Sequence, residues 1–104
     1  MNKVEREKFR KSYKWKKFRA FAKDYYGNRD YITHAILQRD WNLHHLNLDM
    51  NKYSDLSEIS NFIPLNKDVH KALHTLHFFW KKDPAVIDRL LQVFEKMRSI
   101  KNGN

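Results

Sequence analysis

Apolar positions recur along this 104-residue chain with two different periods, and the changes of period mark out its elements. Phe18, Phe21, Ala22 and Tyr25 follow the three- and four-residue spacing that places side chains on one face of an α-helix. Ser12 stands ahead of them as an N-cap, with Trp15 three residues on, and Gly27-Asn28 supplies a stop. Lys14, Lys16 and Lys17 interleave with the aromatic residues and are expected to point outward. Residues 3–11 either extend this helix or fray ahead of it. Residues 29–41 are ambiguous: Tyr31-Ile32-Thr33 has strand character, whereas His34 to Arg39 suits a short helical turn. Trp41-Asn42-Leu43-His44-His45-Leu46 reads as a short strand, and the polar run from Asn47 to Ser57 as a loop. Asn61-Phe62-Ile63-Pro64-Leu65 reads as a second short strand, whose proline places it at an edge or a strand end. Asn66 is then expected to cap a helix in which Asp68 suits the dipole and Val69, Leu73, Leu76 and Phe79 or Trp80 form an apolar stripe. Asp83-Pro84 opens a last helix with Val86, Leu90, Val93, Phe94 and Met97 on one face. The tail from Ser99 to Asn104 is expected to be disordered.

These elements predict a mainly α (α+β) fold in which one small β-hairpin is packed among flanking helices. A chain of this length suits a single domain, and with two Pro and two Gly it has no flexible linker. Within that domain the basic helical segment is 1–29, the strand–loop–strand–helix unit is 41–81, the C-terminal helix is 83–98 and the tail is 99–104. Helices 12–26 and 84–98 are expected to build the core around the hairpin.

Charge narrows the class of partner. The formal net charge is +9, and residues 1–29 alone hold 11 Lys or Arg against 3 Asp or Glu. An excess gathered at the front of the chain points to a polyanion, with nucleic acid ahead of an anionic membrane surface. No apolar run approaches the roughly 20 residues of a membrane span, so no membrane partner is expected. The charged start, Met1 to Arg6, is followed by no apolar segment, so no signal peptide is expected and a cytoplasmic location fits.

The absence of cysteine excludes disulfides, thiol catalysis and thiolate metal sites together. It leaves the six histidines, at 34, 44, 45, 70, 74 and 77, as the candidate chemistry. His70 and His74 are four apart on a predicted helix, so their rings share a face one turn apart, a spacing that suits two imidazoles on one metal ion. His77 shares that face and is a substitute ligand. Neighbouring residues on a strand point to opposite faces. If His44 turns toward the helix it completes a three-histidine site, and His45 is left for another role, such as a base. His34 and His77 read otherwise as surface or packing residues, and the three tryptophans as core or half-buried aromatics.

The pattern resembles a known family. The His44-His45 pair, then Ser60-Asn61-Phe62-Ile63-Pro64-Leu65, then His70-Lys71-Ala72-Leu73-His74 is similar to the motif of the HNH (ββα-metal, His-Me finger) endonucleases. The separations, 16 from His45 to Asn61 and 9 from Asn61 to His70, resemble those of the colicin-type DNases. The segment from Phe9 to Arg19 is similar to the helix ahead of the motif in phage and bacterial relatives. The paired cysteine knuckles of many relatives are missing, and residues 24–38 stand in their place. The resemblance covers roughly residues 9–80. It implies a metal-dependent DNA endonuclease of a bacterial or phage-infected cell, leaving 5′-phosphate and 3′-hydroxyl ends. His44, His70 and His74 would be ligands to one divalent metal ion (Zn, Ni, Mn or Mg). His45 would be the general base, and Asn61 would tie down the loop that holds it. Lys16, Lys17 and Arg19 would grip the backbone of DNA, expected to be duplex with weak sequence preference, and a homodimer is compatible with this. Two other classes share the pattern: a non-catalytic DNA-binding or regulatory protein on the same scaffold, and an interaction module stabilised by a structural metal.

Overall fold

A computed structural model describes residues 1–47, 49 and 52–103, with side chains through residue 100. Leu48, Met50 and Asn51 of the predicted loop, and Asn104 of the predicted tail, lie outside the described residues. The described residues form an α+β fold of four α-helices and one two-stranded antiparallel sheet. In chain order these are α1 (Lys3–Arg10), α2 (Tyr13–Tyr25), β1 (Asn42–His45), β2 (Phe62–Leu65), α3 (Lys67–Lys82) and α4 (Ala85–Gly103), with a short 3-10 helix at Ile59–Asn61 ahead of β2. No described helix is long and apolar enough to cross a membrane. The chain divides into two compact units, Met1–His70 and Lys71–Asn104, and α3 runs unbroken through the division.

Ser12 ends one helix and begins the next. Its hydroxyl accepts from the Trp15 N–H at 3.2 Å, so the chain turns there and residues 3–10 form a helix of their own. That helix has its own cap, the Asn2 side chain accepting from the Glu5 N–H at 2.9 Å. α2 stops where Gly27 (φ 69°) and Asn28 (φ 61°) enter the left-handed region, which glycine and asparagine tolerate best. The stretch between α2 and β1 is neither strand nor helix. Residues 31–33 form a turn, His34 has φ 63°, and an isolated bridge joins Arg29 to Ile36.

The core of the first unit is Trp15, Ala22, Leu37, Trp41, Leu43 and Phe62, with Phe9, Phe18, Leu56 and Ile59 packed against it. The inward row of α2 is therefore Trp15, Phe18 and Ala22, and the expected core residues Phe21 and Tyr25 are 53% and 60% exposed. In the sheet His44 pairs with Ile63 and His45 with Phe62. Strand alternation then puts His45 on the face of Leu43 and Phe62, which belong to the core, and His44 on the other.

A buried polar pair ties the loop 30–38 to the start of α3. Asp30, 1% exposed, accepts from the N–H groups of Ile32, Thr33 and Asn66 at 2.8, 2.9 and 2.7 Å. The Asn66 side chain does not cap α3 as expected. It accepts from the Gln38 N–H at 2.7 Å and donates to the Ile36 carbonyl at 3.1 Å, while the Asn66 carbonyl accepts the helical N–H of His70 at 2.9 Å. Burial alone would push the Asp30 carboxyl up. The backbone N–H groups of Thr33, Asn66 and Ile32 outweigh it and hold the carboxyl below the ordinary aspartate value.

In the second unit Asp83 opens α4, its carboxylate accepting from the Ala85 N–H at 3.1 Å and from Arg89 at 2.5 Å. The apolar face expected to build core is exposed in its second half, at Val93, Phe94 and Met97. The tail is helical through Gly103 rather than disordered from Ser99.

Candidate metal centre

Three imidazoles converge at the start of α3. His44 comes from β1, His70 from the first turn of α3, and His74 from one turn further along the same helix. Each offers one ring nitrogen, and these nitrogens all lie within 4.8 Å of one another. The Nδ1 of His44 and the Nε2 of His70 are 3.2 Å apart. That is the distance of a hydrogen bond between the two rings, and it is also short enough for both nitrogens to reach one ion at about 2.0–2.1 Å. A donor set of three neutral imidazoles suits borderline ions such as zinc, nickel or cobalt better than magnesium. His77 does not join the group; its ring stacks on Trp80, with centroids 5.8 Å apart. Among the described residues no Asp, Glu or further His side chain joins these three.

His45 points away from that group, as strand alternation requires. Its ring stacks on Tyr53 at 4.2 Å and on Trp15 at 5.4 Å, nearly parallel to both, and meets Phe62 edge-on. Its Nε2 is 3.0 Å from the Tyr53 carbonyl. A carbonyl can only accept, so Nε2 carries the hydrogen and, in the neutral ring, Nδ1 carries the lone pair. Burial lowers the pKa of His45 from its ordinary value, the bond to Tyr53 opposes this, and the positive charge of Arg10 adds to it.

Asn61 ends the 3-10 helix rather than opening the strand, and the residue is exposed. Its contribution beside His45 is made by its backbone, the carbonyl accepting from the Leu46 N–H at 2.8 Å. The hold on the His45 ring comes from Tyr53, whose part sequence reading missed. Nothing in the polar run around Tyr53 singles it out except that it is aromatic.

The three basic candidates separate. Lys16 and Lys17 are exposed on α2. Arg19 is committed to the fold: its guanidinium lies 3.8 Å from the centroid of the Trp41 ring and donates to the Trp41 carbonyl at 2.6 Å. It bolts α2 to the residue that leads into β1, a structural part that its charge alone did not disclose.

Comparison with family models, with curated proteins and with solved structures finds no match for this chain.

Proposed function

We propose that this chain is a metal-dependent endonuclease of the HNH type, hydrolysing phosphodiester bonds in DNA. The observation that carries the reading is the group of three imidazoles, which no Asp, Glu or further His joins among the described residues, beside a fourth histidine held by a carbonyl. Structural zinc sites are usually closed by four protein ligands, whereas catalytic ones keep a position open. His44, His70 and His74 would hold the ion. When bound, it would supply Lewis-acid stabilisation of charge developing on the phosphate and leaving oxygens.

The remaining chemistry belongs to the chain. His45, kept neutral by burial, holds its proton at Nε2 against Tyr53 and offers Nδ1 to take a proton from an attacking water. Lys16 and Lys17 attract the phosphate backbone without reading its sequence. The test is incubation of supercoiled plasmid with the protein and zinc, nickel, manganese or magnesium, with and without chelator. Chelator-sensitive nicking or linearisation that disappears in His44→Ala is the expected result.

One observation favours a second reading. The His45 ring is stacked against Trp15 and Tyr53, on the face of the sheet opposite His44. That is the setting of a packing residue, and it suits a protein in which the ion stabilises the fold of a nucleic-acid-binding module. Under this reading, removing the metal lowers the melting temperature and no metal supports cleavage.

A further inference from the structure

The exposed aromatic residues of the first unit are not scattered. Tyr13, Lys17, Phe21 and Tyr25 fall at successive four-residue intervals and form one row winding along α2. Its three aromatic members are 78%, 53% and 60% exposed. At one end Tyr13, Lys14, Lys17 and Phe21 line a groove with Leu56. Beyond it the rings continue in contact: Phe21 to Tyr25 at 6.0 Å and tilted, then Tyr25 and Tyr31 each edge-to-face with the half-buried Tyr26 at 5.0 and 5.8 Å, so that Phe21, Tyr25 and Tyr31 are the exposed rings of the track. At the other end Tyr26, Arg29, Asp30, Tyr31 and His34 line a second, open pocket, in which the Asp30 carboxylate is buried on three backbone N–H groups and Arg29 donates to the His34 carbonyl at 3.0 Å. Tyr31 is 54% exposed.

We infer that this track is a binding surface for unpaired, single-stranded nucleic acid. The inference rests on the proposed function only in taking the polyanion to be nucleic acid. Three features argue for that occupant. Apolar ring faces leave water when a base stacks on them, and every base has such a face. The cations are placed to meet the connecting phosphates, with Lys14 and Lys17 at one end and Arg29 at the other, in a segment whose charge is strongly positive. A duplex cannot use the rings: its base faces are covered by their stacked neighbours, about 3.4 Å apart along each strand, so it would meet only the cations. A strand with its bases unstacked and splayed can place successive bases on successive rings. On this surface the preferred substrate carries a single-stranded or frayed stretch next to any duplex.

The test is fluorescence anisotropy with the full chain in chelator, so that the metal centre takes no part. The probes are an oligothymidine of about 15 nucleotides, within the range that such surfaces cover, and a duplex of the same length. The parent should bind the single strand more tightly than the duplex. Phe21→Leu and Tyr25→Leu, which keep an apolar side chain at half-exposed sites, should each weaken single-strand binding about 10-fold and leave duplex binding at the parental level. Lys14→Gln with Lys17→Gln should weaken both and make both less salt-dependent. Circular dichroism melting confirms that each variant is folded. Parental single-strand affinity in folded Phe21→Leu and Tyr25→Leu overturns the inference and leaves the apolar groove to a protein partner. Equal losses for single strand and duplex overturn it too. Either outcome leaves the nuclease reading standing if the plasmid is cut. Loss confined to the single strand, with no metal supporting cleavage, keeps the track and removes the nuclease.

Discussion

Replacing Asp30 tests whether the candidate centre depends on a residue far from it in sequence. Its carboxylate accepts three backbone N–H bonds, but the three donors differ in surroundings. The bond to Asn66 is buried, and those to Ile32 and Thr33 are only partly so. In Asp30→Ala the buried Asn66 N–H loses its partner, which costs about 1–3 kcal/mol; the other two exchange a charged acceptor for water at about 1 kcal/mol each. The expected loss is about 3–5 kcal/mol, a large share of the 5–15 kcal/mol that holds an ordinary domain together. Asp30→Asn keeps one oxygen, which can serve the turn or Asn66 but not both, and should cost about half as much. Urea unfolding followed by tryptophan fluorescence measures both. The carboxyl's depressed pKa fixes the sign of a pH effect. Its contribution is present above the unfolded value of about 3.9 and is lost as pH falls through the lower folded value. The parent should therefore lose stability on acidification in a window where Asp30→Asn does not. Asn66 also holds the first helical N–H of His70, so nickel affinity of folded Asp30→Asn should fall about 10-fold, as when groups that orient metal ligands are removed. A loss below about 0.5 kcal/mol in Asp30→Ala, or parallel acid profiles for parent and Asp30→Asn, refutes the reasoning.

Calorimetric titration should find zinc, nickel or cobalt bound more tightly than magnesium, and His44→Ala, His70→Ala and His74→Ala should each lose that affinity. His45→Ala should keep metal affinity near the parent's and cleave plasmid roughly 10²–10⁴-fold more slowly. At saturating metal, the acid limb of the parent's cleavage rate should lie below about pH 6.5, because a buried imidazole stays neutral to lower pH than an ordinary one. Lys16→Gln with Lys17→Gln should flatten the dependence of duplex binding on salt by about two phosphate contacts. Arg19→Met, whose charge is engaged with Trp41, should instead lower the unfolding midpoint.

What could be read from sequence was what neighbours in sequence decide. The Ser12 cap, the Gly27-Asn28 stop, the two short strands and the four-residue step from His70 to His74 each depend on a few adjacent residues, and each is present. The inward face of α2 was misread because Phe18 and Ala22 fit two rows equally well. Only the packing of Trp15 against Phe62, 47 positions away, selects the row that excludes Phe21 and Tyr25. Asn66 was expected to cap α3 from its position, but its side chain answers to Gln38 and Ile36, 28 and 30 positions earlier. Asp30 is not singled out by the sequence, and Arg19 is assigned there to the DNA backbone, for the same reason: their partners are 36 and 22 positions away.

The same logic explains why two adjacent histidines on one four-residue strand have different surroundings. A strand cannot turn adjacent side chains to one side, so the His44-His45 pair divides between the metal group and the aromatic core. His44 meets His70 and His74 because β2, buried along its whole length, fixes the register of β1, and Asn66 follows β2 directly into α3. A slip of one residue would exchange the two histidines, putting His45 among the ligands and His44 against Trp15. The bond from His45 to the Tyr53 carbonyl and the stack on Trp15 oppose that slip from one side, and Arg19 on the Trp41 carbonyl opposes it from the strand's start. Tyr53→Leu should therefore do more than free His45. By removing the ring stacked on it, the change should loosen the register of β1 and lower metal affinity at a group that Tyr53 is no member of. Tyr53→Phe, which keeps the ring and the backbone carbonyl, should bind metal as the parent does. Equal metal affinity in Tyr53→Leu and Tyr53→Phe would show that β2 alone sets the register and that the His45 stack adds nothing to it.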